Sequence, residues 1–144
     1  MRYVLISHEK IDIESCINKV KSDSAGAISS FIGTTRDEFN GKKVIKLEYE
    51  AYESMALSEI NKVCDTIESK YNDIKHIVII HRIGDVPVGE SSIVIFISSA
   101  HRSSSLEAVH YAIDTIKSIA PIWKKEYYSD GSIWKGNCES CHYH

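Results

Sequence analysis

A chain of 144 residues with 43% hydrophobic and 26% charged side chains can bury one core without disulfide or metal staples. Its 17 basic and 20 acidic residues leave a net charge of −3, which argues against a global basic field for nucleic acid or membrane binding. A cationic site, if present, must be local.

No stretch approaches the roughly 18 apolar residues of a membrane span, and the first ten residues hold too short an apolar run for a signal peptide. The four cysteines therefore read as reduced thiols, and cytoplasm is the expected location.

In chain order, Arg2 to Ile6 reads as a short edge strand. A helix is expected over Ile13 to Lys21, with Asp12 as N-cap and Ile13, Ile17 and Val20 on one face. Ser22 to Ser24 is a break. Ala25 to Thr34 reads as a strand, with Gly26 and Gly33 allowing close backbone approach. Thr35 to Lys43 is polar and carries the turn signal Asn40-Gly41. Val44 to Tyr52 reads as β, and Ser54 to Tyr71 as a long helix with Ala56, Ile60, Val63, Cys64, Ile67 and Tyr71 in one stripe.

Ile74 to Ile83 and Ser91 to Ala100 read as buried strands, joined by a segment that Gly84, Pro87 and Gly89 make too irregular for helix. A third helix is expected to start at Ser104, with Glu107 closing a capping box and Leu106, Val109, Ile113 and Ile116 facing the core. Pro121 stops it. Ile122 to His144 reads as short strand and tail. The order β-α-β-β-α-β-β-α-β predicts one α+β domain with a mainly antiparallel sheet and packed helices, residues 1–136, followed by a tail, residues 137–144.

Three places combine cations with favourable positions. At Ser99-Ala100-His101-Arg102-Ser103-Ser104 a strand ends and a helix begins, so free N–H groups and the positive helix end favour an anion beside His101 and Arg102. Arg102 adds a fork of donors. The plainer alternative is a connector whose arginine pairs with a surface acid. Lys117 and Lys124 flank Pro121, so the chain must turn between them. Set beside other cations and apolar surface, such lysines suit a proton donor or an imine-forming amine, although sequence physics alone leaves them as surface lysines. Arg36 sits at a strand end, where one loop arginine is by itself a weak signal. Glu126 and His110 are possible acid–base groups.

The C-terminal Cys138, Cys141, His142 and His144 have spacing reminiscent of zinc or haem attachment. Adjacent ligands would be cramped, so a tail or terminal strand is preferred and no metal is expected. There is no Gly-rich phosphate loop, H-E-x-x-H or G-x-S-x-G pattern.

Several segments, taken in order, carry a resemblance. They are Phe31-Ile32-Gly33-Thr34-Thr35-Arg36 with Gly41, then Leu47-Glu48-Tyr49-Glu50-Ala51-Tyr52-Glu53-Ser54-Met55-Ala56. His81-Arg82-Ile83-Gly84 follows with Gly89-Glu90, then Ser98-Ser99-Ala100-His101-Arg102. Last come Ile116-Lys117 and Ala120-Pro121-Ile122-Trp123-Lys124-Lys125-Glu126. Together, over about residues 25–135, they resemble the large, catalytic subunit of molybdopterin synthase.

That resemblance implies an α/β hammerhead fold and a homodimer of large subunits within a heterotetramer. Each large subunit would bind one small ubiquitin-like subunit whose Gly-Gly C-terminus carries a thiocarboxylate. It implies sulfur transfer to cyclic pyranopterin monophosphate, giving the dithiolene of molybdopterin, with no cofactor and no nucleophilic cysteine. The family's substrate-contacting positions fall on Thr34, Thr35, Arg36, His101, Arg102, Lys117, Lys124, Lys125 and Glu126, and its catalytic lysines on Lys117 and Lys124. On this reading five scattered cations (Arg36, His101, Arg102, Lys117 and Lys124) converge on one anionic guest. The rivals are a non-catalytic pterin- or phosphate-binding module and a metal-carrying adaptor that works through its tail.

Overall fold

The computed structural model describes residues 1–137, so the spacing at Cys138, Cys141, His142 and His144 falls outside the described residues. The elements are β1 (Arg2–Ser7), α1 (Ile13–Val20), β2 (Ala27–Thr34), β3 (Glu38–Phe39), β4 (Lys42–Ala51) and α2 (Glu53–Lys70). After these come β5 (Ile74–Arg82), β6 (Gly84–Pro87), β7 (Ser91–Ser99), α3 (Arg102–Ile119), β8 (Ile122–Tyr128) and β9 (Ile133–Asn137).

One sheet has the order β1-β5-β7-β2, with β1 parallel to β5 and the other neighbours antiparallel. Helices cover both faces of its centre, which is why β5 and β7 are continuous apolar runs rather than alternating ones. On one face α2 and α3 pack Ile60, Val63, Ile67, Ala108, Ala112 and Ile116 onto Ile77, Ile79, Ile93, Ile95 and Ile97. On the other, α1 seals Val78, Ile80, Val94 and Phe96 with Cys16 and Val20. Each fully buried isoleucine contributes about 1.5–3 kcal/mol, so this sheet is the rigid frame of the molecule.

The second sheet has the order β3-β4-β8-β9, with β6 pairing β4. Its inner face packs Val44, Leu47, Tyr49, Ile122 and Tyr128 against Ile83 and Val86. The result is a mixed α/β domain with mainly antiparallel strands, as expected. No helix among the described residues is long and apolar enough to cross a membrane.

Local signals held where chemistry is local. Asp12 caps α1 by accepting the Ser15 N–H at 3.1 Å. Asn40 and Gly41 adopt φ of 52° and 79°, closing the two-residue hairpin between β3 and β4. Other expectations are corrected. The capping box at Ser104 does not form; α3 starts at Arg102 with His101 as N-cap. Ser99 Oγ in the preceding strand accepts the Ser105 N–H at 3.2 Å, and Glu107 accepts from Ser103 Oγ at 2.9 Å. Leu106 is 58% exposed, and Ser105, Ala108 and Ala112 join Val109, Ile113 and Ile116 on the inward face. Gly84–Pro87 is not helical, as expected, and forms strand β6, held by antiparallel pairing to Lys46–Tyr49. The segment after Pro121 forms two paired strands, β8 and β9, not one.

Candidate functional site

A cavity of about 500 Å³ opens between the C-terminal half of β2, the β3 hairpin and the inner face of β4 and β8. Phe31, Phe39, Leu47 and Tyr49 supply apolar wall, while Thr34, Arg36, Glu38, Lys124 and Glu126 supply the polar lining. The Arg36 guanidinium lies over the Phe39 ring, 5.5 Å from its centroid. A cation at this distance is attracted to the ring face, and its N–H donors can still meet an anion. Gly33 is required at the back wall, because a methyl there would meet Ile93 Cγ2 at 2.9 Å and the Phe31 ring at 3.2 Å.

Strand β8 delivers the chemistry through its period of two. Ile122, Lys124, Glu126 and Tyr128 point inward and are buried, while Trp123, Lys125 and Tyr127 point outward. Lys124 is only 6% exposed, and its Nζ lies 3.5 Å from Glu126 Oε2. Tyr128 donates its hydroxyl to Glu126 Oε1 at 2.7 Å. That bond and burial push the Tyr128 phenol far above its ordinary range, burial being the larger cause. Tyr128 therefore stays a proton donor to Glu126, and Glu126 is oriented toward the Lys124 amine. A buried ammonium beside a carboxylate on a cavity wall can polarise a bound carbonyl or exchange a proton with it. The companion of Lys124 on this wall is an acid, not another cation as the sequence suggested.

The sequence pattern of the MoaE protein family matches residues 6–119. A molybdopterin synthase catalytic subunit from Dictyostelium discoideum is 65% identical over 144 residues, covering 98% of this chain and 91% of that protein. The chain belongs to the MoaE family. Among solved structures, a molybdopterin synthase from Staphylococcus aureus superposes with a TM-score of 0.85 at 38% identity, covering 91% of this chain and 95% of that one. A protein–protein complex of subunits 1 and 2 of molybdopterin-converting factor from Helicobacter pylori contains the same fold, with a TM-score of 0.72 at 22% identity over 90% and 86% of the two chains.

In this MoaE-family chain the family positions separate into three groups. Thr34, Arg36, Lys124 and Glu126 line the cavity. Lys117 approaches it from behind, its Nζ 5.8 Å from the centroid of the wall residue Phe31, beside a small cleft shared with Tyr49 and His81.

Two further positions sit next to the cavity without lining it. Thr35 is buried and turned away, donating Oγ1 to the Val86 carbonyl at 3.3 Å. Lys125 lies on the outer face of the sheet, 3.8 Å from Glu48 Oε1 and 3.7 Å from Glu50 Oε1.

His101 and Arg102 form the third group, at the other end of β7. Thr34 pairs with Ser91 at one end of this strand and Ala27 with Ser99 at the other. Eight steps of roughly 3.3 Å put about 26 Å between the Thr34 end of the cavity and Ser99, beside this pair. The five cations thus do not all converge within one chain: Arg36 and Lys124 line the cavity, and Lys117 stands behind its wall. Nor is the start of α3 an open anion site, since Asp73 Oδ2 already accepts the His101 N–H at 3.2 Å. Hydrogen bonding from Ser104, aided by that N–H, holds the Asp73 carboxyl below its usual range. His110 is exposed on α3, 3.4 Å from Asp114, and takes no part in the cavity.

Phe39 and Tyr128 had no signal of their own in the sequence. Tyr128 could have been found from the alternation that begins at Lys124 and Glu126, continued two residues further. No group of histidine, cysteine or carboxylate side chains among the described residues is arranged to hold a metal ion.

Proposed function

We propose that this chain is the catalytic subunit of a molybdopterin synthase, acting in molybdenum cofactor biosynthesis. It transfers sulfur from the thiocarboxylated C-terminus of a small ubiquitin-like subunit to cyclic pyranopterin monophosphate. The observation that carries this reading is Lys124: a lysine buried to 6% exposure on the wall of a cavity whose lip holds Arg36, in a chain of this family. Burying an ammonium is costly, so its retention beside Glu126 speaks for chemistry rather than stability.

Arg36 pairs with the phosphate of the substrate, and the aromatic wall of Phe31, Phe39 and Tyr49 suits a flat pterin. Lys124 activates the carbon attacked by sulfur or holds a covalent intermediate. Lys117 orients the thiocarboxylate and shuttles protons. Sulfur arrives on the partner's tail, so neither Cys16 nor Cys64, both buried, need be a nucleophile. The complex of two subunits described for the Helicobacter pylori relative is in keeping with such a partner.

His101 and Arg102 enter through a homodimer. Strand β2 ends its sheet, pairs only with β7 among the described residues, and contains neither proline nor charge. Such an unprotected edge invites another strand, and Ile28 and Ile32 are exposed along it. Antiparallel pairing of two copies around the centre of β2 sets the Ala27 end of one strand beside the Thr34 end of the other. Because Ala27 neighbours Ser99, that pairing carries His101 and Arg102 toward the other copy's cavity, on the same face of the sheet.

The test mixes the chain with thiocarboxylated small subunit and cyclic pyranopterin monophosphate and measures molybdopterin. Product with the unaltered chain and at least a hundredfold less with Lys124→Ala supports the reading. Near-normal turnover by Lys124→Ala refutes the role of that lysine.

A further inference from the structure

Arg36 reaches the cavity from a short connection between β2 and β3, and connections of this kind are mobile unless tied down. This one is tied at several points. Thr35 N–H donates to the Glu90 carbonyl at 3.1 Å, and Gly89 N–H donates to the Thr35 carbonyl at 2.9 Å. With Thr35 Oγ1 on the Val86 carbonyl, all three bonds run to β6 and the turn that follows it. On the far side, Val44 N–H holds the Asp37 carbonyl at 2.8 Å.

The turn is itself anchored. Glu90 N–H closes it onto the Pro87 carbonyl at 3.1 Å. The Glu90 carboxylate accepts from Arg82 Nη1 at 2.7 Å, and the Arg82 side chain is only 11% exposed. Arg82 ends β5, where Ile83 N–H is fastened to the Ser7 carbonyl of β1 at 2.8 Å. An unbroken set of bonds therefore runs from the rigid sheet through Arg82, Glu90 and Thr35 to Arg36. The Arg82 hydrogen bond holds the Glu90 carboxyl below its ordinary range, with Lys10 a lesser contributor. Neither Arg82 nor Glu90 lines the cavity.

We propose that Arg82 and Glu90 are positioning residues that hold the Thr35–Arg36 connection in its substrate-ready shape. This deepens, and rests on, the reading of the cavity as a pterin phosphate site. A connection that is competent only part of the time weakens apparent binding by that fraction and leaves the chemical step intact once substrate is held.

The test uses the full chain with Glu90→Gln, Thr35→Val and the two combined, each assayed with thiocarboxylated small subunit. Glu90→Gln is expected to raise KM for the pterin phosphate about fivefold with kcat within about twofold. The double variant should be no worse than the poorer single one, because both act through one set of bonds. Independently, amide exchange at Thr35 and Gly89 should accelerate at least about tenfold in Glu90→Gln, while Ile79 and Ile95 in the core strands keep their protection.

Unchanged exchange at Thr35 and Gly89 would overturn the proposal. So would an equal acceleration at Ile79, which would mean general destabilisation, or an unchanged KM. If the unaltered chain makes no molybdopterin, the functional reading fails instead, and the exchange measurement still decides the clamp.

Discussion

A dimer paired across β2 makes an unusual demand on mutant mixtures. Each site would hold Arg36, Lys117 and Lys124 from one chain and His101 and Arg102 from the other. The perturbation is a pair of single substitutions, Lys124→Ala and Arg102→Ala, in separately tagged chains. Arg102 follows the end of β7 that lies about 26 Å from Thr34 and Ser91, and it does not line the cavity that holds Lys124.

Removing Arg102 deletes a charged hydrogen bond worth roughly 1.5–3 kcal/mol, so its homodimer should lose about tenfold to a hundredfold in activity. The Lys124→Ala homodimer should be at least as impaired. In a mixed dimer one site carries both lesions and the other carries none. Co-expression followed by tandem purification through both tags leaves only mixed dimers, which should recover roughly half of the unaltered activity per dimer. The assay is molybdopterin formed from thiocarboxylated small subunit and cyclic pyranopterin monophosphate. Mixed dimers no more active than the mean of the two parents would refute the shared site.

Three further outcomes follow from the geometry. Lys125→Ala removes only outer-face ion pairs with Glu48 and Glu50, so stability should fall by less than about 1 kcal/mol and turnover should stay within about twofold. A hundredfold loss of turnover would contradict the inward–outward assignment of β8. Tyr128→Phe takes the hydroxyl donor from buried Glu126 Oε1 and should cost about 1–3 kcal/mol in urea denaturation; an unchanged midpoint would show that another group replaces it.

Cys64 gives a pH signature, its thiol being pushed up to about 11 by burial. The folded chain keeps that proton where the unfolded chain has begun to lose it, so stability is intact below about pH 8.5–9 and falls as pH rises toward 11. Cys64→Ala should flatten this decline relative to the unaltered chain, and equal slopes between pH 8 and 10.5 in denaturant titrations would dismiss the cause.

Much of the architecture was legible because its causes are local. The apolar runs in β5 and β7, the Asp12 cap and the Asn40–Gly41 turn each depend on residues adjacent in sequence. The capping box at Ser104 failed although its spacing was right, since Ser99, six residues before Ser105, supplied the acceptor from a neighbouring strand. Leu106 left the core because small residues, Ser105, Ala108 and Ala112, complete the face of α3 that packs inward. Strand β6 was unreadable because its glycine and proline are compensated only by pairing with β4.

The residue types of the site belong to the sequence: Arg36, Lys117, Lys124 and Glu126 stand in the motifs that carry the family resemblance. Which of them meet was a tertiary decision. Lys124 and Lys125 are chemically alike neighbours, yet the register of β8 on β4 buries one at the cavity and leaves the other on the outside. Thr34 and Thr35 divide in the same way, one toward the cavity and one toward the β6–β7 turn. His101 and Arg102 were sent to the far end of the sheet by the length of β7. Strand alternation and strand length set direction and distance, and neither has a value until a strand has found its partner.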